Sequence, residues 1–386
     1  MNVEEFLSQG GTSLEAVLAS VDGWLEMGPE DILLAAGSLA EGLGSSKSDL
    51  DLLLVSHRTR TELPEQDEVI WALGNCAVDV RILHHDRVAN LLNHLKNWVK
   101  QPWDVSNVAK FNHDERVLLH RLRHAEVLKS GGGQHAVEAI TPALPDLALL
   151  KLQVARHAAK TIQVDMVGYR ESGDFATLGF AAQKLLGHAI DALLAGHHMT
   201  NPLSKWRCRY LDRLQEDWDR AMGMRPQPGT AIDAYWQRHR LPEHPAEDLA
   251  LAHAHSIATF ARTVFIWAEY RLVLGMDPPV CHPVGAEVSL PHLVLDADFF
   301  LTPTGAKVSR LNEFDADAEI LDLTREELAL LPLFEGPLGI LPGSPVSRKS
   351  SRLGMDLKAL FQRLEEGGLL AAVPDNFMTQ MTILGG

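Results

Sequence analysis

The chain has 386 residues, 46% of them hydrophobic, and a formal net charge of −16. That length accommodates two or three domains, and that apolar content excludes a disordered or fibrous protein. The negative charge repels a phosphate backbone, so extended nucleic acid is an unfavourable partner and a small-molecule or protein substrate fits better. Three cysteines, Cys76, Cys208 and Cys281, stand far apart without Cys-x-x-Cys spacing, which argues against a zinc ribbon or disulfide framework and agrees with a reducing compartment. The N-terminal MNVEEFLSQGG is acidic where a secretory signal is basic and then apolar. No later run is read as the ~18 apolar residues of a membrane span. The expectation is a cytoplasmic protein with no membrane contact.

Taken in order, residues 14–27 place Leu14, Val17, Leu18, Val21 and Leu25 on one helical face. Asp31–Ala36 reads as a first strand. Gly37 then permits a tight turn, and Ser38 opens a short helix over Leu39–Gly42, as its N-cap or as a phosphate donor. Glu41 reads as a solvated helix residue. After the loop LGSSKS, Asp49–Val55 reads as a second strand, nearly all apolar after its acidic pair and so covered on both faces. Alternation would put the carboxylates of Asp49 and Asp51 on one side and Leu50 and Leu52 on the other, a geometry for holding divalent cations.

Residues 68–83 hold two apolar runs around Gly74-Asn75, a hairpin signal. The second run isolates Asp79 among Val78, Val80 and Ile82, where a carboxylate is costly unless it is paired or bound to a cation. His85–Val99 and Glu115–Leu128 read as helices, and Lys129–Gly133 as a linker. From Pro145 to Leu274 the pattern is helical, with Asp146–Val164, Leu178–Leu194 and Asp248–Leu274 as the long members of a bundle. Pro- and Gly-rich residues 275–292 mark a further boundary. Beyond them, HLVLDADFFL and AKVSRL read as strands, Arg325–Phe334 and Met355–Leu370 as helices, and PGSPVSRKSSR as a loop. The domains expected are 1–130, 131–275 and 285–386. The last is a small α+β unit of winged-helix-like pattern, suited to a peptide or protein contact or to homodimerisation.

Gly37-Ser38, Asp49-x-Asp51 and Asp79, in this order and strand context, resemble the signature of the DNA polymerase β-like nucleotidyltransferase superfamily. The resemblance covers roughly residues 31–83. It implies a small mixed α/β sheet with flanking helices, and transfer of an NMP, most simply AMP from ATP, onto a hydroxyl or similar acceptor of a small molecule, peptide or protein. Charge builds on the attacking and leaving oxygens in such a transfer, and two Mg²⁺ ions, or Mn²⁺ in their place, stabilise both. By resemblance Asp49, Asp51 and Asp79 are the metal-binding and catalytic carboxylates. Asp79 is either a ligand or the base that takes the acceptor's proton. Gly37 and Ser38 meet the triphosphate, with Lys47, Ser48 and Arg81 close enough in sequence to contribute.

A nucleotidyltransferase domain followed by a bundle is also the layout of aminoglycoside nucleotidyltransferases. There a lysine early in the bundle reaches the triphosphate, and Lys151 is the candidate here. Residues 205–213, KWRCRYLDR, mix basic and aromatic side chains as a nucleotide- or acceptor-binding edge does, and equally as a solvated helix does. The rival from a different class is a non-catalytic binding protein of the same fold, or an antitoxin-type partner of another chain. Adjacent histidines such as His84-His85 and His197-His198 read as surface or capping groups, because neighbours on a helix point to different faces.

Overall fold

The computed structural model describes residues 1–58, 67–103, 105–214, 231–242, 246–276, 288–289, 293–311, 320–331, 337–338 and 359–370. Cys281 and the loop expected over 342–352 lie outside them. The chain divides into two compact units. The first comprises Met1–Gln101, Ala109–Leu147 and Thr200–Trp206, and the second Pro102–Val108, Ala148–Met199 and Arg207–Gly386.

The first unit is built on a five-stranded mixed sheet in the order β3-β4-β2-β1-β5. Its strands are β1 (Ile32–Ala36), β2 (Leu50–Ser56), β3 (Glu68–Leu73), β4 (Cys76–His84) and β5 (Glu126–Ser130). Only β2 and β4 run parallel, while β1 is antiparallel to both β2 and β5 and β3 to β4. The β3–β4 hairpin closes between Leu73 and Cys76, and Gly74 turns at φ +62° with Asn75, as the Gly-Asn pair predicts.

Alternation sorts the side chains onto two faces. Leu33, Ala35, Leu50, Leu52, Leu54, Val78, Val80 and Ile82 form one core with Val3, Phe6 and Leu7 of helix α1 (Val3–Gln9) and Val17, Val21 and Leu25 of α2 (Leu14–Leu25). The other face, with Ile32, Leu34, Leu53, Val55 and Leu83 fully buried, is covered after the one-turn helix α3 (Gly37–Ala40) by α4 (His85–Trp98) and α5 (His113–His124). Asp51 and Asp79 belong to this second face by parity.

Three local expectations are corrected. Residues 126–128 do not end the expected helix, and Lys129 and Ser130 are not linker: together they form the edge strand β5, registered against β1 from Ile32↔Ser130 to Ala35↔Glu126, so the glycines begin only where the strand ends. Ser38 is not the N-cap of α3: Ala36 holds that position and no side chain caps the helix. Asp49 lies just ahead of β2 rather than within it, and is exposed.

In the first unit α6 (Gly133–Ile140) follows β5, and α7 (Leu144–Ser172) leads into the second unit. There α8 (Phe175–Gly196) packs along the helix Glu247–Leu272. This last helix is long and apolar enough by composition to cross a membrane, with mean hydropathy 1.2 over its best window, which the sequence reading overlooked. It buries Ile257, Phe260, Phe265 and Ala268 together with Arg262 and Glu269, as a core helix of a globular unit does. Strands Ala297–Leu301, Ala306–Arg310 and Leu321–Leu323 make a small antiparallel sheet, followed by the helix Arg325–Leu330 and a helix over 359–366.

Candidate active site

Asp51 stands opposite Ala36 on one side and Asp79 on the other, so the register alone sets the two carboxylates side by side at one end of the sheet. β1 ends at Ala36, and Gly37 turns the chain at φ +70°. A Cβ on Gly37 would lie 2.1 Å from the Asp51 carboxylate, so both the backbone angle and the space require glycine. The turn sets Ser38 beside Ser48, their hydroxyl oxygens 3.5 Å apart. Ser48 also accepts from the Ser45 amide at 2.9 Å, which shapes the loop leading into Asp49. Lys47 is exposed on that loop. The structure thus brings Gly37, Ser38, Ser48, Asp49, Asp51 and Asp79 together.

Lys151 belongs to the second unit, where it is buried and its Nζ donates to the Met199 carbonyl at 3.0 Å. The cations that act on Asp51 are Arg121, which no motif in the sequence pointed to, and Lys205, the first residue of the 205–213 stretch read as a nucleotide- or acceptor-binding edge. Arg121 of α5 donates to Asp51 Oδ1 at 2.9 Å. Lys205 is exposed, lies over the Trp206 ring at 5.1 Å from its centroid, and is within electrostatic reach of Asp51.

Burial raises the pKa of Asp51, opposed by Arg121 and reinforced by Asp49. Asp79 is pushed up to about 6, first by burial, then by the Glu68 carboxylate, which also hydrogen-bonds it, and by Asp51. Its Oδ1 is buried without a hydrogen-bond partner. Carboxylates that raise one another's pKa are held together at a cost in stability, and such costs concentrate where charge is to be neutralised by a ligand.

An orphaned carboxylate oxygen, a second carboxylate in register and an exposed third make an all-oxygen donor set, and hard divalent cations take such sets. Among the described residues no group of three or more His, Cys, Asp or Glu side chains could hold a metal ion. Coordination at this row would therefore need oxygens from a substrate, as Mg²⁺ sites on phosphates commonly do.

Beside this row lies a buried polar network. Glu41, expected to be solvated, keeps only 7% of its side chain exposed. Its Oε1 accepts from His120 Nε2 at 2.9 Å and from Asn201 Nδ2 at 3.0 Å. His120 Nδ1 and His124 Nε2 both meet the Thr200 hydroxyl, at 2.9 and 3.1 Å. Burial, with His120 alongside, lowers the His124 pKa to about 4. No local signal pointed to this network, because its members come from three distant segments. His84, by contrast, caps α4 through Nδ1, as a capping histidine should.

A groove of about 500 Å³ opens between α4 and α5, with Arg87, Asn90, His94 and Asp114 among its walls. None of the strand carboxylates lines it, so volume and chemistry do not coincide here, and the carboxylate row is the better-founded site.

No protein-family model matches the chain, and neither does any curated protein. Among solved structures, the crystal structure of a nucleotidyltransferase-like protein from Exiguobacterium sibiricum 255-15 matches 68% of this chain and 78% of its own at 12% identity and a TM-score of 0.36. A likeness that loose assigns neither fold nor activity.

Proposed function

We propose that the chain is a metal-dependent nucleotidyltransferase that moves an NMP, most simply AMP from ATP, onto a hydroxyl of a small molecule, peptide or protein, and that it works in the cytoplasm. The observation that carries this reading is the direct register of Asp51 with Asp79 beside the Gly37 turn, where a Cβ would lie 2.1 Å from the Asp51 carboxylate.

Asp51 and Asp79, with Asp49 beside them, are the residues that would hold Mg²⁺ or Mn²⁺. When bound, the metal supplies charge neutralisation at the phosphoryl oxygens. The remaining work falls to the chain. The Gly37 turn lets the backbone approach the triphosphate, and the Ser38 and Ser48 hydroxyls can donate to it. Arg121 and Lys205 bring positive charge to an otherwise acidic site, Arg121 with a fork suited to phosphate oxygens. Where Asp79 is left unligated, its pKa, pushed up to about 6 in the metal-free chain, makes it a stronger base than an ordinary carboxylate and leaves it mostly ionised at neutral pH, which suits it to take the proton of an acceptor hydroxyl.

The test is thermal denaturation with Mg²⁺ and each of the four NTPs, paired with pyrophosphate release. An NTP shift in the native chain that vanishes in Asp51→Asn supports the reading, and no shift with any NTP overturns it.

One observation favours the rival class. The Arg121–Asp51 ion pair already neutralises a carboxylate that the reaction requires, as suits a non-catalytic binding protein of this fold or an antitoxin-type partner. Arg121→Ala separates the two. In an enzyme, where Arg121 turns to the phosphates, it raises KM for the NTP about tenfold or more; in a binding protein it changes stability alone.

A further inference from the structure

The carboxylate of Glu41, the imidazole of His120 and the hydroxyl of Thr200 follow one another in the order of a hydrolytic triad. Thr200 is only 4% exposed, however, and its oxygen is also held by His124, so it is no nucleophile. What the network does is mechanical. Glu41 directly follows α3, three residues after Ser38. Through one oxygen it holds Asn201 and, through His120, meets Thr200. Asn201 in turn accepts from the Leu203 amide at 3.0 Å, which shapes the turn leading to Ser204–Trp206. The segment so fixed ends in Lys205, seated on Trp206. His120 and His124 lie on the same helix as Arg121, so both cations near Asp51 are anchored to one buried cluster.

We propose that Glu41 is the positioning residue for the phosphate side of the site: by gripping Asn201 and His120 it fixes the Thr200–Trp206 segment so that Lys205 is delivered to the outer phosphates of a nucleoside triphosphate. This rests on the nucleotidyltransferase reading. A buried carboxylate is a costly way to hold a loop, since an unpaired one is strongly destabilising and an apolar contact of the same volume serves packing as well. The return is geometric, because two donors converging on one oxygen fix Asn201 and His120 relative to α3. A long lysine held by its neighbours loses less freedom when it meets an anion.

The experiment is a double-mutant cycle in the full chain between Glu41→Met and Lys205→Met, with Asn201→Leu in place of Glu41→Met where Tm shows that variant unfolded, reading Mg²⁺-dependent binding of a non-hydrolysable ATP analogue and of AMP by calorimetry. Lys205 is exposed, so its variant folds, and Glu41→Gln, which keeps the shared acceptor oxygen, is the conservative control expected to bind as the native chain does. Each single variant of the cycle is expected to weaken the ATP analogue about tenfold while leaving AMP within twofold, and the double variant to be no weaker than either. Additive losses, or equal losses for AMP and the ATP analogue, overturn the positioning role while leaving the transferase reading intact. A native chain that binds no ATP analogue overturns that reading and this inference together.

Discussion

Gly37 and Asp79 show how single positions carry this site. At Gly37 any L-residue meets two penalties, a left-handed backbone and a Cβ driven onto the Asp51 carboxylate. Gly37→Ala is therefore expected to cost roughly 1–3 kcal/mol in strain alone and to displace Asp51. Chemical denaturation should register the first, and loss of the Mg²⁺–NTP thermal shift the second. Asp79 should behave in the opposite way. Its folded-state pKa of about 6 exceeds the ordinary carboxylate value of 3.8, so the folded chain binds the extra proton between those limits and loses stability as pH rises through them. Asp79→Asn removes that loss. In metal-free buffer at pH 7.5 its Tm should rise above the native value, while turnover falls by about 10²–10⁴-fold if Asp79 is the base. A lower Tm together with unchanged turnover would show that Asp79 is an ordinary structural carboxylate.

At the scale of elements, α5 links the sheet's carboxylates to the buried network, because His120 and His124, one turn apart, meet the network while Arg121, on the adjacent face, reaches Asp51. The fold of the first unit was legible from alternation: Val78, Val80 and Ile82 against Asp79 and Arg81 already state which face is core. The role of α5 was not. Arg and His on a short helix have the composition of a solvated surface, and their partners Glu41, Asp51 and Thr200 lie 70 or more residues away. Strand β5 was missed for a related reason, since Lys129-Ser130 followed by three glycines has linker composition and only its pairing with β1 makes it a strand. The network on α5 also sets a pH signature. His124, at about 4 when folded against 6.5 as a free side chain, is bound to its proton more tightly by the unfolded chain, so its contribution to stability is lost as pH falls from 6.5 towards 4. Asp79 tilts the same window the other way. Stability measured between pH 4 and 6.5 should therefore rise with pH more steeply in Asp79→Asn than in the native chain, and less steeply in His124→Gln. Parallel profiles for all three would contradict the assigned environments.

At the scale of the molecule, the second unit shows why the C-terminal strands are not an independent appendage. Arg156 of α7 is buried between two acids: it donates to Asp298 at 2.6 Å and its Nε lies 3.3 Å from Glu269 Oε1. It also donates to the Phe299 carbonyl, and its guanidinium stacks over Phe265 and Phe299. One cation thus joins α7, the helix Glu247–Leu272 and the strand Ala297–Leu301. Two carboxylates against one guanidinium leave an excess negative charge, and burial resolves it by raising Glu269 to about 7, so that near neutral pH this group is about half protonated. The asymmetry predicts unequal variants. Glu269→Gln keeps the shape and removes the surplus charge, so it should be neutral or stabilising above pH 7. Arg156→Met strands two buried acids and should cost about 3–5 kcal/mol. Truncation after residue 284 removes Asp298 and Phe299 and leaves Arg156 facing only Glu269, with Phe265 uncovered. The shortened chain should lose cooperative unfolding of its second unit, read as a lower and broader calorimetric transition. A sharp transition at the native temperature would instead show that strand Ala297–Leu301 adds nothing to the stability of the bundle on which it docks.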